Sequence, residues 1–134
     1  MSSQSLSALY FEAWVTARED REKVRALARD LFQIAGPITS RAGGSGPWLF
    51  LTWVDAPSAK SRRFRKTLGV KPGEDLWMEL AFFPSRPSML RTVREMRRRP
   101  EFKAIAKSLD ALVSKRPARQ STGVGIGELQ RILE

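Results

Sequence analysis

The sequence predicts an α+β fold in which one four-stranded antiparallel sheet carries helices on one face. Three observations point there. A chain of 134 residues, 42% hydrophobic and 28% charged, has the size and composition of a single globular core, so residues 1–134 form one domain. Segments with a two-residue alternation, or a short continuous apolar run, recur along it. Between them lie segments whose apolar residues repeat at helical spacing.

The first element is a strand over 8–16, with Leu9, Phe11, Ala13 and Val15 on one face and Tyr10, Glu12, Trp14 and Thr16 on the other. A helix follows, with Thr16 and Glu19 spaced as a capping box. Val24, Leu27, Leu31 and Ile34 make its buried stripe, and Gly36 and Pro37 stop it. Residues 37–47 read as a loop without the GK[ST] ending of a phosphate-cradling loop. Residues 48–54, WLFLTWV, form a strand apolar on both faces. A short basic helix over 58–68 displays Phe64 and Leu68, and 69–75 is a turn.

Residues 76–84 form the third strand, with Leu76, Met78, Leu80 and Phe82 opposite Trp77, Glu79, Ala81 and Phe83. A helix opens near Pro87 with Met89, Val93 and Met96 as its core stripe. Pro100 interrupts it and opens another, carrying Phe102, Ile105, Leu109 and Leu112. Residues 115–123 read as a polar loop, and 123–133 as a last strand, with or without a helical tail. Glycines 123, 125 and 127 come too near the C-terminus for a dinucleotide-binding unit and fit an edge strand.

The order β-α-β-(α)-β-α-α-β fits the ferredoxin-like arrangement. One layer of helices covers only one face of such a sheet. Trp14, Phe50, Trp77 and Phe83, or their opposite-face neighbours, therefore need other cover, and sheet-to-sheet homodimerisation supplies it.

That requirement joins a local pattern. Phe83-Pro84-Ser85 closes a strand, a helix follows, and Pro100-Glu101-Phe102 comes next. The stretch 79–105 resembles the dimeric α/β-barrel superfamily, whose members share this succession. The resemblance implies a ferredoxin-like fold and a dimer. It implies no single function, because the superfamily spans monooxygenases, isomerase-like enzymes, peroxidases and stress proteins. Haem-using members rely on a proximal histidine, and this chain has none. No catalytic residue carries over.

Composition excludes much chemistry. With no His and no Cys, the chain lacks serine–histidine and cysteine–histidine catalysis, disulfides and structural zinc sites. No metal site and no cofactor is expected. The first residues lack a secretory pattern and no apolar run spans a bilayer, so a cytoplasmic protein without a membrane partner is expected.

Two clusters are candidates for function. Glu12 and Glu79 sit on strands that this fold makes neighbours, each two residues from a tryptophan on its own face, Trp14 and Trp77. If that face lies opposite the helices, the four line one ligand cleft in which a carboxylate beside apolar walls can serve as acid or base. A place of Glu12 and Glu79 on the helix-covered face would defeat this proposal. The plainer reading pairs both carboxylates with cations.

The second cluster follows the charge. Residues 1–59 hold six Lys/Arg and six Asp/Glu, whereas 60–134 hold eighteen and eight, so the net +10 lies wholly in the second part. Arg91, Arg94 and Arg98 share one helix side, suited to anions or simply solvated. The expectation is a homodimer binding a small organic ligand, with turnover left open. The alternatives are a basic nucleic-acid-binding module using 60–119 and a purely structural assembly subunit.

Overall fold

In the computed structural model, residues 8–52 and 58–124 are described, with the side chains of all but 61, 64 and 115–124. The elements run β1 (Ala8–Ala17), a 3-10 turn (Arg18–Asp20), α1 (Arg21–Arg41), β2 (Ser45–Thr52), α2 (Ala59–Thr67), β3 (Glu74–Phe83), α3 (Arg86–Arg98), α4 (Pro100–Asp110) and β4 (Val113–Val124). All strand pairs are antiparallel, in the order β2-β3-β1-β4. This four-stranded α+β architecture is compatible with the ferredoxin-like arrangement. Residues 53–54 and 125–133 of the strands expected above lie outside the described residues.

Alternation along β1 and β3 builds two apolar layers. Leu9, Phe11, Ala13, Val15, Leu76 and Met78 cluster on one face, with Leu68 and Val70 packed against them. On the other, Trp14 and Trp77 pack with Val24 and Leu31 of α1 and Leu109 of α4. Ala8, Ala81 and Phe83 meet Met89 of α3 on the same side. The helices thus cover the tryptophan face. This overturns the placement of Glu12, Trp14, Trp77 and Glu79 opposite the helices, and the open-face cleft is discarded. Of the four residues expected to need outside cover, only Phe50 stays exposed.

The first helix departs from its sequence reading at both ends. Thr16 does not cap it: the residue lies in β1, and its hydroxyl accepts a 2.9 Å hydrogen bond from the buried Trp77 indole N–H. The helix is entered instead through the 3-10 turn and Asp20. Nor do Gly36 and Pro37 stop it, since α1 continues to Arg41 with Pro37 inside. A mid-helix proline costs about 3 kcal/mol, and burial of Ile38 and Thr39 beyond it offsets that loss. Ile38 packs with Ala35 and Met96, joining α1 to α3.

Residues 115–123 are a further correction, being strand rather than loop. Antiparallel pairing with β1 holds this segment in line, and its register shifts twice between Ala13 and Thr16 and once between Leu9 and Phe11. Pro117 is tolerated because β4 is an edge strand. The reading of α3 holds, with Ser85 as N-cap accepting from the Ser88 N–H at 3.2 Å. No helix among the described residues is long and apolar enough to cross a membrane.

Candidate functional site

A cavity of about 350 Å³ lies between the sheet and helices α1, α3 and α4. Strand alternation supplies its floor. Tyr10, Glu12 and Trp14 project from β1, and Glu79, Ala81 and Phe83 from β3. Leu31, Phe32, Ala35 and Thr39 form the α1 wall, while Val93 and Met96 of α3 and Phe102, Ala106 and Leu109 of α4 close the rest. Arg97, Lys103, Lys107 and Asp110, all largely exposed, stand at its rim. The volume is that of a small-molecule site, and the lining is mostly apolar with a few polar groups.

The polar groups converge on the β1–β3 ladder. Glu12 faces Glu79 in the cross-strand register, and Trp14 faces Trp77. Like charges placed directly opposite destabilise a sheet unless other groups compensate. Glu12 is 6% exposed, and its Oε2 accepts from the Tyr10 hydroxyl. Burial pushes the Tyr10 phenol well above its ordinary value, the Glu79 and Glu12 charges and the bond to Glu12 add to the rise, and Arg97 opposes it. Tyr10 is therefore a neutral hydrogen-bond donor at physiological pH and not a phenolate base.

Behind this ladder the two indoles stack, with ring centroids 6.1 Å apart and planes inclined by 24°. Trp77 spends its N–H on Thr16 and takes no part in the lining. The buried indole N–H of Trp14 and hydroxyl of Thr39 have no hydrogen-bond partner among the described residues. A buried polar atom left so costs about 1–3 kcal/mol.

The structure thus brings Glu12, Trp14 and Glu79 to one cavity and sets Trp77 behind Trp14. Arg91, Arg94 and Arg98 are exposed along α3 and line none of it. The α3 cation at the rim is Arg97, one residue beyond the buried Met96. Sequence reasoning missed Tyr10, although its parity with Glu12 and Trp14 was a signal for it. It also missed Thr39, hidden by the assumption that the helix ended at Pro37.

Chemically, the floor can hold a hydrogen-bond donor or a cation against the carboxylates, while the Tyr10 proton is already given to Glu12. No group of three or more Asp or Glu among the described residues is placed to hold a metal ion. No protein-family profile matches this chain, and none of the curated proteins matches it either.

Proposed function

We propose that the protein binds a small organic molecule in the cavity beneath α1, α3 and α4, as a homodimeric member of the dimeric α/β-barrel superfamily. The carrying observation is the combination of a largely apolar cavity of about 350 Å³ with converging polar groups on its floor. The Trp14 N–H and Thr39 hydroxyl, without hydrogen-bond partners among the described residues, belong to residues of the lining, and an acceptor that reached either would relieve its cost. The ligand this chemistry favours is a flat, mainly apolar molecule carrying a hydroxyl or amine for Glu12 and Glu79 and an acceptor for Trp14.

Backbone NMR titration with phenol and indole as probes tests the reading. Shifts should concentrate at Tyr10, Glu12 and Thr39. Ala106→Trp, which fills the α4 side, should weaken binding by about tenfold, a loss near 1.4 kcal/mol. Equal binding by the filled variant, or shifts centred on Trp48 and Phe50, would overturn it.

The dimer rests on a separate observation. Trp48 and Phe50 are 43% and 49% exposed on edge strand β2, on the face opposite the helices. Large apolar side chains grouped on an edge strand invite a partner.

A further inference from the structure

A second concavity, of about 550 Å³ and open to solvent, lies away from the cavity beneath the helices. Three separate segments build it: Arg18 follows β1, Arg62, Arg65 and Lys66 come from α2, and Gly69 to Gly73 lead into β3 with Lys71 among them. Among the described residues, five cationic side chains line this space and no carboxylate does.

The surrounding bonds fix its shape. Arg18 N–H donates to the Gly73 carbonyl at 2.9 Å, tying the end of β1 to the turn. Val70 N–H donates to the Arg65 carbonyl at 2.9 Å, and Lys71 N–H to Glu74 Oε1 at 2.8 Å. Gly69 and Gly73, with φ of 73° and 83°, supply the left-handed backbone that folds the turn back on α2. Arg65 is only 8% exposed, and its Nη2 donates to the Glu74 carbonyl at 2.8 Å, so its guanidinium is positioned rather than swinging in solvent.

Charge balance gives the function. The nearest buried carboxylate, Asp75, is engaged by Arg21 through two bonds of 2.9 and 2.8 Å, with Arg18 Nε 3.6 Å from it. Asp75 thus compensates Arg18, whereas the exposed Arg62, Lys66 and Lys71 have no ion pair among the described residues. Like charges gathered in one recess repel, and a multivalent anion relieves that repulsion where a monovalent counter-ion does so poorly. Guanidinium groups beside ammonium groups suit phosphate oxygens.

We propose that this cleft binds the phosphoryl group of a small phosphorylated organic molecule. The recess is much larger than a phosphate ion, leaving room for the body of the ligand. Its cations surround one concavity instead of tracking along a face, which favours a compact ligand over a nucleic-acid strand.

The test is calorimetric titration of the full chain, at matched ionic strength, with inorganic phosphate, glucose 6-phosphate and glucose. Glucose 6-phosphate should bind more tightly than phosphate, and glucose not at all. Arg62→Gln combined with Lys71→Gln, both on exposed residues, should weaken that binding about tenfold. Arg91→Gln with Arg98→Gln, the same charge removed elsewhere, should leave it within about twofold. Equal loss in the two double variants would show general charge attraction and overturn the site. Equal affinity for phosphate and glucose 6-phosphate would overturn the organic ligand. Submicromolar binding of a single-stranded oligonucleotide that displaces glucose 6-phosphate would overturn the small ligand in favour of nucleic acid.

Discussion

Burial and two neighbouring carboxylates oppose loss of the Tyr10 proton, and the chain offers a clean view of it because this is its one tyrosine. The unfolded chain releases that proton near the ordinary phenol value of about 10, whereas the folded chain holds it well above. Between those two values the folded state binds more protons than the unfolded one. The linked stability is intact below about pH 10 and falls as pH rises, by up to about 1.4 kcal/mol per pH unit. A spectrophotometric titration should show phenolate absorbance rising together with loss of the circular dichroism of the fold. Phenolate forming near pH 10 in a chain that stays folded would contradict the buried Tyr10–Glu12 pair. At this scale the shared face of Glu12 with Trp14 and of Glu79 with Trp77 was legible from parity, and their direct cross-strand register came only with the structure. Which face they occupy was not legible. Alternation makes the face of Tyr10, Glu12, Trp14 and Thr16 the more polar side of β1, which pointed to the open face, yet the helices cover it.

The elements show where local signals yield to packing. Gly36 and Pro37 carry the usual marks of a helix end, yet Ile38 and Thr39 directly after them are buried and draw the helix past them. Gly36 then sits inside α1 with open space where a Cβ would stand. Gly36→Ala should stabilise the protein by about 0.5–1 kcal/mol, read as a higher urea midpoint with unchanged slope. Gly44→Ala should do the reverse, since its Cβ would come within 2.5 Å of the Phe82 carbonyl oxygen. An unchanged midpoint for Gly36→Ala would mean that α1 does not run through this position. The same logic hid β4, whose polar residues 115–123 carry no strand signal of their own and are aligned by β1. Strands with apolar alternation and helices with a 3.6-residue stripe were readable, because for them local pattern and tertiary burial agree.

At the scale of the molecule, sheet order makes β2 and β4 the edges and leaves Trp48 and Phe50 facing outward from β2. The centre of that face is already buried within the chain, at Leu9, Phe11 and Val15. A partner therefore has most to gain along β2, where Trp48 also packs edge-on to Phe82 with centroids 5.9 Å apart. Sedimentation at micromolar concentration should give about twice the chain mass of 15.2 kDa. Trp48→Ser with Phe50→Ser should return the monomer while helix content is kept. A wild-type monomer at that concentration would remove the dimer. The tertiary facts least visible in the sequence were the two concavities, because each draws residues from segments far apart in the chain. Arg18 and Arg62, or Leu31 and Leu109, meet only once the strands have paired.

The stacked pair Trp14–Trp77 has an optical consequence. Two indoles held 6.1 Å apart at a fixed inclination couple their electronic transitions, giving paired positive and negative ultraviolet bands that a lone indole lacks. Trp14 lines the cavity and Trp77 anchors its neighbour from behind through the bond to Thr16. A molecule that reached Trp14 beneath the helices would therefore touch one half of a coupled chromophore whose other half is anchored. Binding of the proposed ligand would then be read without a label, from side chains already needed for the core.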